Sequence, residues 1–303
     1  MVIMHDLIIF SHTQQQMIQK IRLSKRVMNT ITEEIANEKN TTEKFAIETR
    51  IKKTKDSIKK RAICITLGEQ SENHVGMVKN GNGLAQSGFT LEDLKSISLC
   101  FENTEIINLK HDDEDAYVLL IRNAVNDKNF AFIDELTNFD WDKTYFDVRR
   151  NKVLNKRARF NVCFGENAVK PNMQQKQGSI IPFHSVPNLM TWKTKMEFIC
   201  KDKFEVEGNF YYDVKKTGIG FHGDGERKKV IGLNICDEGV EREIHWVWFK
   251  NSKPISDHVI IKLYNGDAYI MSEKASGFDW KQRKKATIRH AAGCKNSKYL
   301  MTK

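Results

Sequence analysis

The sequence predicts an α+β protein with a helical arm (residues 1–61), a small α/β unit (62–138) and a larger β-rich domain (139–303). Three observations support this division. Apolar residues recur at helical spacing in the first region, short apolar runs and helix-forming segments alternate in the second, and many short strand-like runs separated by turn residues fill the third. The last pattern is typical of a β-sandwich or jelly roll.

The arm is predicted from the segment Gln14–Lys60, which contains neither Pro nor Gly. Its apolar spacing favours one or two amphipathic helices, and the polar segment Asn40–Lys44 offers an N-cap for the second. Basic residues crowd its end, from Arg50 to Arg61. They are either a solvated helix face or a contact for nucleic acid.

The second region is predicted to be a small α/β unit. Thr90 precedes helix-forming residues as an N-cap, and a second helix is predicted at Phe130–Leu136. The predicted strands are Ala62–Leu67, Glu105–Leu109 and Ala116–Arg122.

The net charge of +10 is unevenly distributed along the chain. The arm has 13 Lys/Arg against 7 Asp/Glu, the α/β unit 5 against 13, and the β-rich domain 31 against 19. Two basic ends suggest a polyanionic partner such as nucleic acid, with solubility as the alternative explanation. The acidic unit and the arm are also candidate surfaces for a protein partner.

Several classes of protein are disfavoured by the composition. No run approaches the roughly 20 apolar residues of a membrane span, and no signal peptide is recognisable. The six Cys residues contain no C-x-x-C pair, which disfavours a zinc ribbon or a redox dithiol. We therefore expect a soluble intracellular protein with free thiols.

The main chemical signal is His222-Gly223-Asp224 followed downstream by His290. Two His and one carboxylate with open positions form the ligand set of non-haem Fe(II) oxygenases. Strand-like residues on both sides of the motif (217–222 and 230–235) predict that the first two ligands lie at a strand end, over a hairpin. An H-x-D string also arises by chance, and His245 is a competing ligand, although its neighbours Trp246 and Trp248 indicate a core strand.

Other residues offer contacts for a co-substrate. Asn209 and Tyr211, upstream of the first ligand, present an amide and a phenol to a small dicarboxylate. Lys298–Lys303, downstream of the last ligand, is predicted to be a final strand that offers cations to a carboxylate.

Residues 209–213 (N-F-Y-Y-D) and 220–226 (G-F-H-G-D-G-E) resemble the N-x-Y-x-D and G-x-H-x-D-x-E signature of AlkB-like 2-oxoglutarate/Fe(II)-dependent dioxygenases. Residues 265–271 resemble the G-D strand that precedes the second His of that family. Residues 155–161 and 270–281 resemble AlkB-like proteins of large DNA viruses. The resemblance spans about residues 145–303.

This resemblance implies a double-stranded β-helix in which His222, Asp224 and His290 bind Fe(II), while Asn209 and Tyr211 contact 2-oxoglutarate. It also implies hydroxylation of a C–H bond, with net demethylation when that carbon is bonded to nitrogen in a nucleic-acid base. The family anchors the distal carboxylate of 2-oxoglutarate with Arg on its last strand. This chain has Lys there, so we assign that role to Lys298, which lacks the bidentate fork of Arg.

Two other functions remain open at this stage. The same fold can hydroxylate a protein side chain or a small molecule, and a non-catalytic nucleic-acid-binding module is the third hypothesis. The basic run Lys281–Lys285 is predicted to lie near the active-site mouth, as a phosphate contact or a solvated loop. Several aromatic residues are candidates either for stacking a flipped base or for core packing: Tyr212, Trp246, Trp248, Phe278 and Trp280.

Overall fold

The computed structural model describes residues 59–127 and 130–302, which form mostly β-structure with a few short helices. The described residues from Lys59 onward belong to one compact unit. The predicted helical arm (1–61) lies outside the described residues, apart from its last three.

The larger of the two main sheets has eight strands. They are β1 (Ala62–Gly68), β4 (Thr104–Asn108), β5 (Tyr117–Ile121), β8 (Phe160–Gly165), β9 (Ile180–Pro182), β10 (Glu205–Tyr211), β12 (Val230–Cys236) and β16 (Asp267–Met271). Their order across the sheet is β4-β5-β16-β12-β1-β10-β8-β9. All neighbours are antiparallel except β8 and β9.

The smaller sheet carries His222 and His290, two of the three residues predicted to bind a metal. Its strands are β11 (Ile219–His222), β13 (Arg242–Lys250), β14 (Lys253–Pro254), β15 (Val259–Leu263) and β17 (Thr287–Gly293). The order is β11-β17-β13-β14, and β15 also pairs with β13. Two separate hairpins complete the described β-structure: β2 (Ser71–Glu72) with β3 (Lys79–Asn80), and β6 (Thr144–Asp147) with β7 (Lys152–Asn155).

Three helices pack on the larger sheet, and a fourth, short helix packs against the core between the sheets. The described helices are α1 (Leu91–Ser98), α2 (Ala131–Leu136), α3 (Pro187–Cys200) and α4 (Glu273–Ser276). Thr90 caps α1 as predicted, with Asp93 completing a reciprocal capping box. In this part of the chain, no helix is both long and apolar enough to cross a membrane.

Two hydrophobic cores show the layer arrangement. In one, the alternate β1 residues Ile63, Ile65 and Leu67 pack with apolar residues of α1, α2 and α3. In the other, residues of both sheets meet, including Tyr211 from β10 and Trp246 from β13. The molecule is therefore a β-sandwich with helices on one outer face, which confirms the β-rich sandwich expected from the sequence at this level.

The structure differs from three expectations. β1, placed in a separate unit (62–138), lies between β12 and β10 in the large sheet. β11 and β12 do not form a hairpin, because they belong to different sheets. The predicted final strand is a 3₁₀ turn at Lys298–Leu300. The hairpin is absent because successive strands pass from one sheet to the other, and β1 fills the place beside β10 and β12.

Candidate metal centre

Three side chains with metal-binding atoms converge at one end of the smaller sheet. β11 pairs with β17 so that His222 lies opposite His290. Asp224 follows two residues after β11, and its Oδ1 lies 3.5 Å from His222 Nε2 and 3.6 Å from His290 Nε2. One ligand atom from each residue lies within 4.8 Å of the others. The three residues predicted from the sequence as metal ligands are thus brought together.

The orientation of His222 suits metal binding. Its Nδ1 lies 2.8 Å from the carbonyl oxygen of Gly220, so an Nδ1–H donates to that carbonyl and Nε2 keeps its lone pair. His290 is buried, and its Nδ1 has no hydrogen-bond partner among the described residues. Both Nε2 atoms face the carboxylate of Asp224.

Gly223 allows the ligand loop to pass close to another segment. A Cβ at this position would collide with the carbonyl oxygen of Gly277 and lie 2.7 Å from Cδ1 of Trp280. The amide of Asp224 donates to the carbonyl of Ser276 at 3.0 Å, which fixes the loop against α4. The glycine between the two ligands is therefore a steric requirement.

Burial sets the electrostatics of the three ligands. It raises the pKa of Asp224 to about 7, helped by the negative charge of Glu226. Burial and the charge of Arg159 lower the pKa of His222 to about 4, and burial lowers the pKa of His290 well below its usual range. Both imidazoles are neutral, and a nearby cation would stabilise the ionised form of the Asp224 carboxylate. Such a group of side chains is a suitable donor set for a divalent metal.

The ligands line a cavity of about 160 Å³ between the two sheets. This is roughly ten times the space that one water requires. Residues from both sheets form its walls, among them Cys64 and Thr66 of β1, Tyr211 of β10, Tyr269 of β16, and Arg242 and Ile244 of β13. The cavity is therefore large enough for a small ligand beside the three metal-binding side chains.

Two buried arginines in this cavity have different surroundings. Arg227 donates through Nη2 to Glu207 at 2.7 Å and to Glu226 at 2.8 Å. Arg242 has no carboxylate partner among the described residues. It donates to the amide oxygen of Asn234 at 3.2 Å, and its Cζ lies 3.9 Å from the ring centroid of Tyr211. A buried cation without a counter-charge is costly unless a ligand supplies one.

The predicted co-substrate residues have different positions. Asn209 and Tyr211 both line the cavity. The Asn209 side chain is anchored in the wall, because its Oδ1 accepts from Arg159 at 2.5 Å and its Nδ2 donates to Glu207 at 3.1 Å. Lys298 is exposed and does not line the cavity. Of the two cationic residues Lys298 and Arg242, only Arg242 lines the cavity.

The fold places the aromatic candidates and the competing histidine, His245, in different environments. Trp246 and Trp248 lie in the core between the sheets, and Tyr212 stacks on Phe160. Trp280 lines the cavity and is partly exposed, directly before the exposed basic run. His245 points to the other side of β13, where its Nε2 lies 3.1 Å from Glu243. It is not part of the ligand group.

Arg242 was missed in the sequence, although a signal for it exists. In a strand, alternate residues face the same side, so Arg242 shares a side with Ile244, Trp246 and Trp248. A charged residue in register with three core residues indicates a buried functional group. Cys64 and Tyr269, whose Sγ and hydroxyl lie 3.5 Å apart in the cavity wall, had no comparable signal because neither is a charged residue among core residues.

Comparison with known proteins relates the chain to an uncharacterized viral protein. No family model matches the sequence. An uncharacterized protein of Acanthamoeba polyphaga mimivirus is 39% identical to it over 250 residues, which cover 78% of this chain and 96% of the relative. The viral source of this relative is consistent with the expected viral origin. At this identity and coverage, the chain belongs to the same family as the uncharacterized mimivirus protein.

Proposed function

We propose that the protein is an AlkB-like dioxygenase that uses Fe(II) and 2-oxoglutarate to demethylate or hydroxylate a nucleic-acid base. One observation carries the proposal. A single cavity contains both the His222, Asp224 and His290 group and the buried Arg242, which has no carboxylate partner among the described residues. The first suits Fe(II), and the second suits a carboxylate-bearing co-substrate.

The strand arrangement supports a double-stranded β-helix. The strands from β10 to β13 alternate between the two sheets, and β16 and β17 alternate again. In such a jelly roll of eight strands, the last strand returns to the larger sheet. We propose that β1 takes that place from the N-terminal side, because it pairs with both β10 and β12.

The metal fits the donor set. His222, Asp224 and His290 would hold Fe(II) through Nε2, a carboxylate oxygen and Nε2. When bound together with 2-oxoglutarate, Fe(II) supplies the chemistry by which O₂ hydroxylates a substrate C–H bond, with succinate and CO₂ as co-products. The hydrogen bond between His222 Nδ1 and Gly220 keeps the ring oriented for this role.

The co-substrate would be held by side chains of the cavity wall. The guanidinium of Arg242 matches a carboxylate in shape and charge, and the phenol of Tyr211 lies against it. Asn209 acts indirectly on the co-substrate, because its side chain accepts a hydrogen bond from Arg159 and fixes Arg159 at the cavity wall. Trp280 lies beside Gly223, where it limits the access of water to the ligand loop.

Anaerobic reconstitution tests the proposal. The purified protein is loaded with Fe(II) and 2-oxoglutarate, exposed to O₂ and mixed with methylated single-stranded and double-stranded oligonucleotides. We expect succinate in proportion to loss of methyl groups or gain of oxygen on the oligonucleotide, measured by mass spectrometry. His222→Ala should abolish both products, whereas His184→Ala, at an exposed histidine outside the cavity, should retain them.

A mass change on a protein substrate but on no oligonucleotide would redirect the proposal to protein hydroxylation. Stoichiometric iron binding without succinate from any substrate would contradict the oxygenase itself.

A further inference from the structure

A second cavity lies next to the candidate metal centre. It has a volume of about 520 Å³ and is lined by ten residues that include four cationic side chains and no carboxylate. We call it the basic groove: His74, Tyr145, Arg150, Leu154, Asn155, Lys156, Arg157, Ala158, Arg159 and Asn161. Most of these residues come from the β6–β7 hairpin and the segment that leads into β8.

The cations of the basic groove are short of counter-charges. In the described parts of the chain, Arg157 and Arg159 have no carboxylate within salt-bridge distance, and the Arg150 Nη1 lies 3.7 Å from Asp147. By contrast, Arg61 lies 2.8 Å from Asp237 and Arg227 lies 2.7 Å from Glu207. Uncompensated arginines around a concavity favour an anionic ligand, above all a phosphate.

One wall of the basic groove is aromatic. His74 stacks on Tyr145 with ring centroids 3.7 Å apart and an angle of 19° between the planes. Burial lowers the pKa of His74 to about 4, so this ring is neutral near pH 7 and adds a flat surface but no charge. Positive charge next to stacked rings is the combination with which proteins hold single-stranded nucleic acid.

Arg159 connects the basic groove to the candidate metal centre. It lines both cavities, and its Nε donates to Asn209, whose amide nitrogen donates to Glu207. A ligand in the groove therefore lies one side chain away from the cavity that contains His222. This arrangement suits a substrate whose phosphate lies in the basic groove while its reactive group enters the cavity between the sheets.

We propose that the basic groove binds backbone phosphates of a single-stranded nucleic acid. The neighbouring nucleotide would enter the cavity that contains His222, which we call the metal cavity. This inference rests on the proposed function for its choice of substrate. A single strand is favoured over a duplex because a cavity enclosed by two sheets accepts a base only after it leaves the stack, and a single strand has no base pair to break. Arg150 and Arg157, which are exposed, provide the phosphate contacts.

Binding of a fluorescently labelled single-stranded oligonucleotide tests the inference. Anisotropy is measured over a range of salt concentrations for the wild type and for Arg150→Gln/Arg157→Gln. The matched control, Lys95→Gln/Lys201→Gln, removes two exposed charges at α1 and at the end of α3. We expect the groove variant to bind roughly tenfold or more weakly at low salt and its salt slope to fall by about 0.7 for each lost phosphate contact. The control should behave as the wild type.

Competitors identify the source of the phosphate. Unlabelled single strands should compete much better than a duplex of the same length, a nucleoside monophosphate or inorganic phosphate. Equal losses in the groove variant and the control would overturn the inference. Equal competition by the monophosphate would also overturn it, since the ligand would then be a free phosphate ester.

The binding test is independent of the proposed reaction. It needs no Fe(II), 2-oxoglutarate or O₂, so the metal-free wild-type protein should bind the oligonucleotide. Succinate formation without groove-dependent binding would refute the groove alone. Groove-dependent binding without succinate formation would refute the dioxygenase alone.

Discussion

The metal cavity and the basic groove both contain arginines, but these arginines differ in their exposure to solvent. In the cavity, Arg227 is buried and hydrogen-bonded to two carboxylates, and Arg242 is buried beside Tyr211. In the groove, Arg150 and Arg157 are exposed. The cavity has fixed charges in a desolvated space, whereas water and salt reach the two exposed arginines of the groove freely.

This difference separates two kinds of recognition. A buried charge acts on one small ligand in one orientation, and its removal is costly because its partners remain buried. An exposed cation attracts any nearby phosphate, and its effect decreases as salt increases. We therefore expect substitutions in the cavity to act strongly and at all salt concentrations, and those in the groove to act weakly and in a salt-dependent way.

The largest effect is expected at the ligand carboxylate. Asp224→Asn keeps the shape of the side chain but removes its charge, so the affinity for Fe(II) or Mn(II) should fall by more than about 100-fold. Even the loss of an outer partner of a metal ligand typically costs 10–100-fold. Metal titration measures the affinity, and thermal unfolding checks the fold. Asp202→Asn, at a surface carboxylate paired with Lys229, is the control and should bind metal normally.

Stability should distinguish the two buried arginines. Arg227→Met leaves Glu207 and Glu226 buried without their cation, so the free energy of unfolding should fall by about 3–5 kcal/mol. Arg242→Met strands no carboxylate among the described residues, so its effect should be clearly smaller. Urea unfolding of both variants measures the difference. Equal losses would show that Arg242 has a structural counter-charge.

For co-substrate affinity, in contrast to stability, we expect the larger effect at Arg242 and the smaller at Arg227. Arg242→Ala removes the proposed carboxylate contact, which is worth about 2–5 kcal/mol for a buried charged hydrogen bond. The KM for 2-oxoglutarate should rise accordingly, and Arg242→Lys should restore part of the loss. Lys298→Ala should leave the KM unchanged, because Lys298 is exposed and outside the cavity. A raised KM in Lys298→Ala alone would return the anchor to the position predicted from the sequence.

The smallest effect is expected at Lys156, the buried cation of the basic groove. Burial lowers its pKa to about 7; nearby Asp142, Glu207 and Cys163 oppose this shift, and Arg159 adds to it. Its amino group also donates to the Asn73 side chain at 2.6 Å.

The folded protein therefore binds fewer protons than the unfolded chain between pH 7 and the ordinary lysine pKa of 10.5. Stability contributed by this group should rise with pH in that window, by at most about 1.4 kcal/mol per pH unit. Urea unfolding of the wild type and Lys156→Met between about pH 7 and pH 9 isolates the contribution of this residue. Parallel pH profiles would contradict the prediction.

Local patterns pointed to two of the three converging residues, because His222 and Asp224 are close in sequence at a strand end. The N-cap at Thr90 and the apolar strand at Ala62 were also predicted, because each depends on neighbouring residues.

Strand pairing was beyond the reach of the sequence. Nothing near Ala62 indicates that its partners are Tyr211 and Cys236. For the same reason, Lys298 was expected on a final strand, whereas it lies in a 3₁₀ turn. The basic groove also depends on such pairing, since it brings His74 next to Tyr145 and joins both to Arg159.

The central position of β1 has a consequence for the way the chain folds. Every residue of β1 is buried, and the strand is hydrogen-bonded on both edges to strands that follow far later in the sequence. During synthesis from the N-terminus, this apolar segment leaves the ribosome well before either partner exists. Such non-local pairing slows folding and exposes an unpaired strand to aggregation. The metal cavity therefore closes only when β1, which is synthesised early, pairs with β10 and β12, which are synthesised late. A nascent chain that stops before Cys236 cannot complete this pairing.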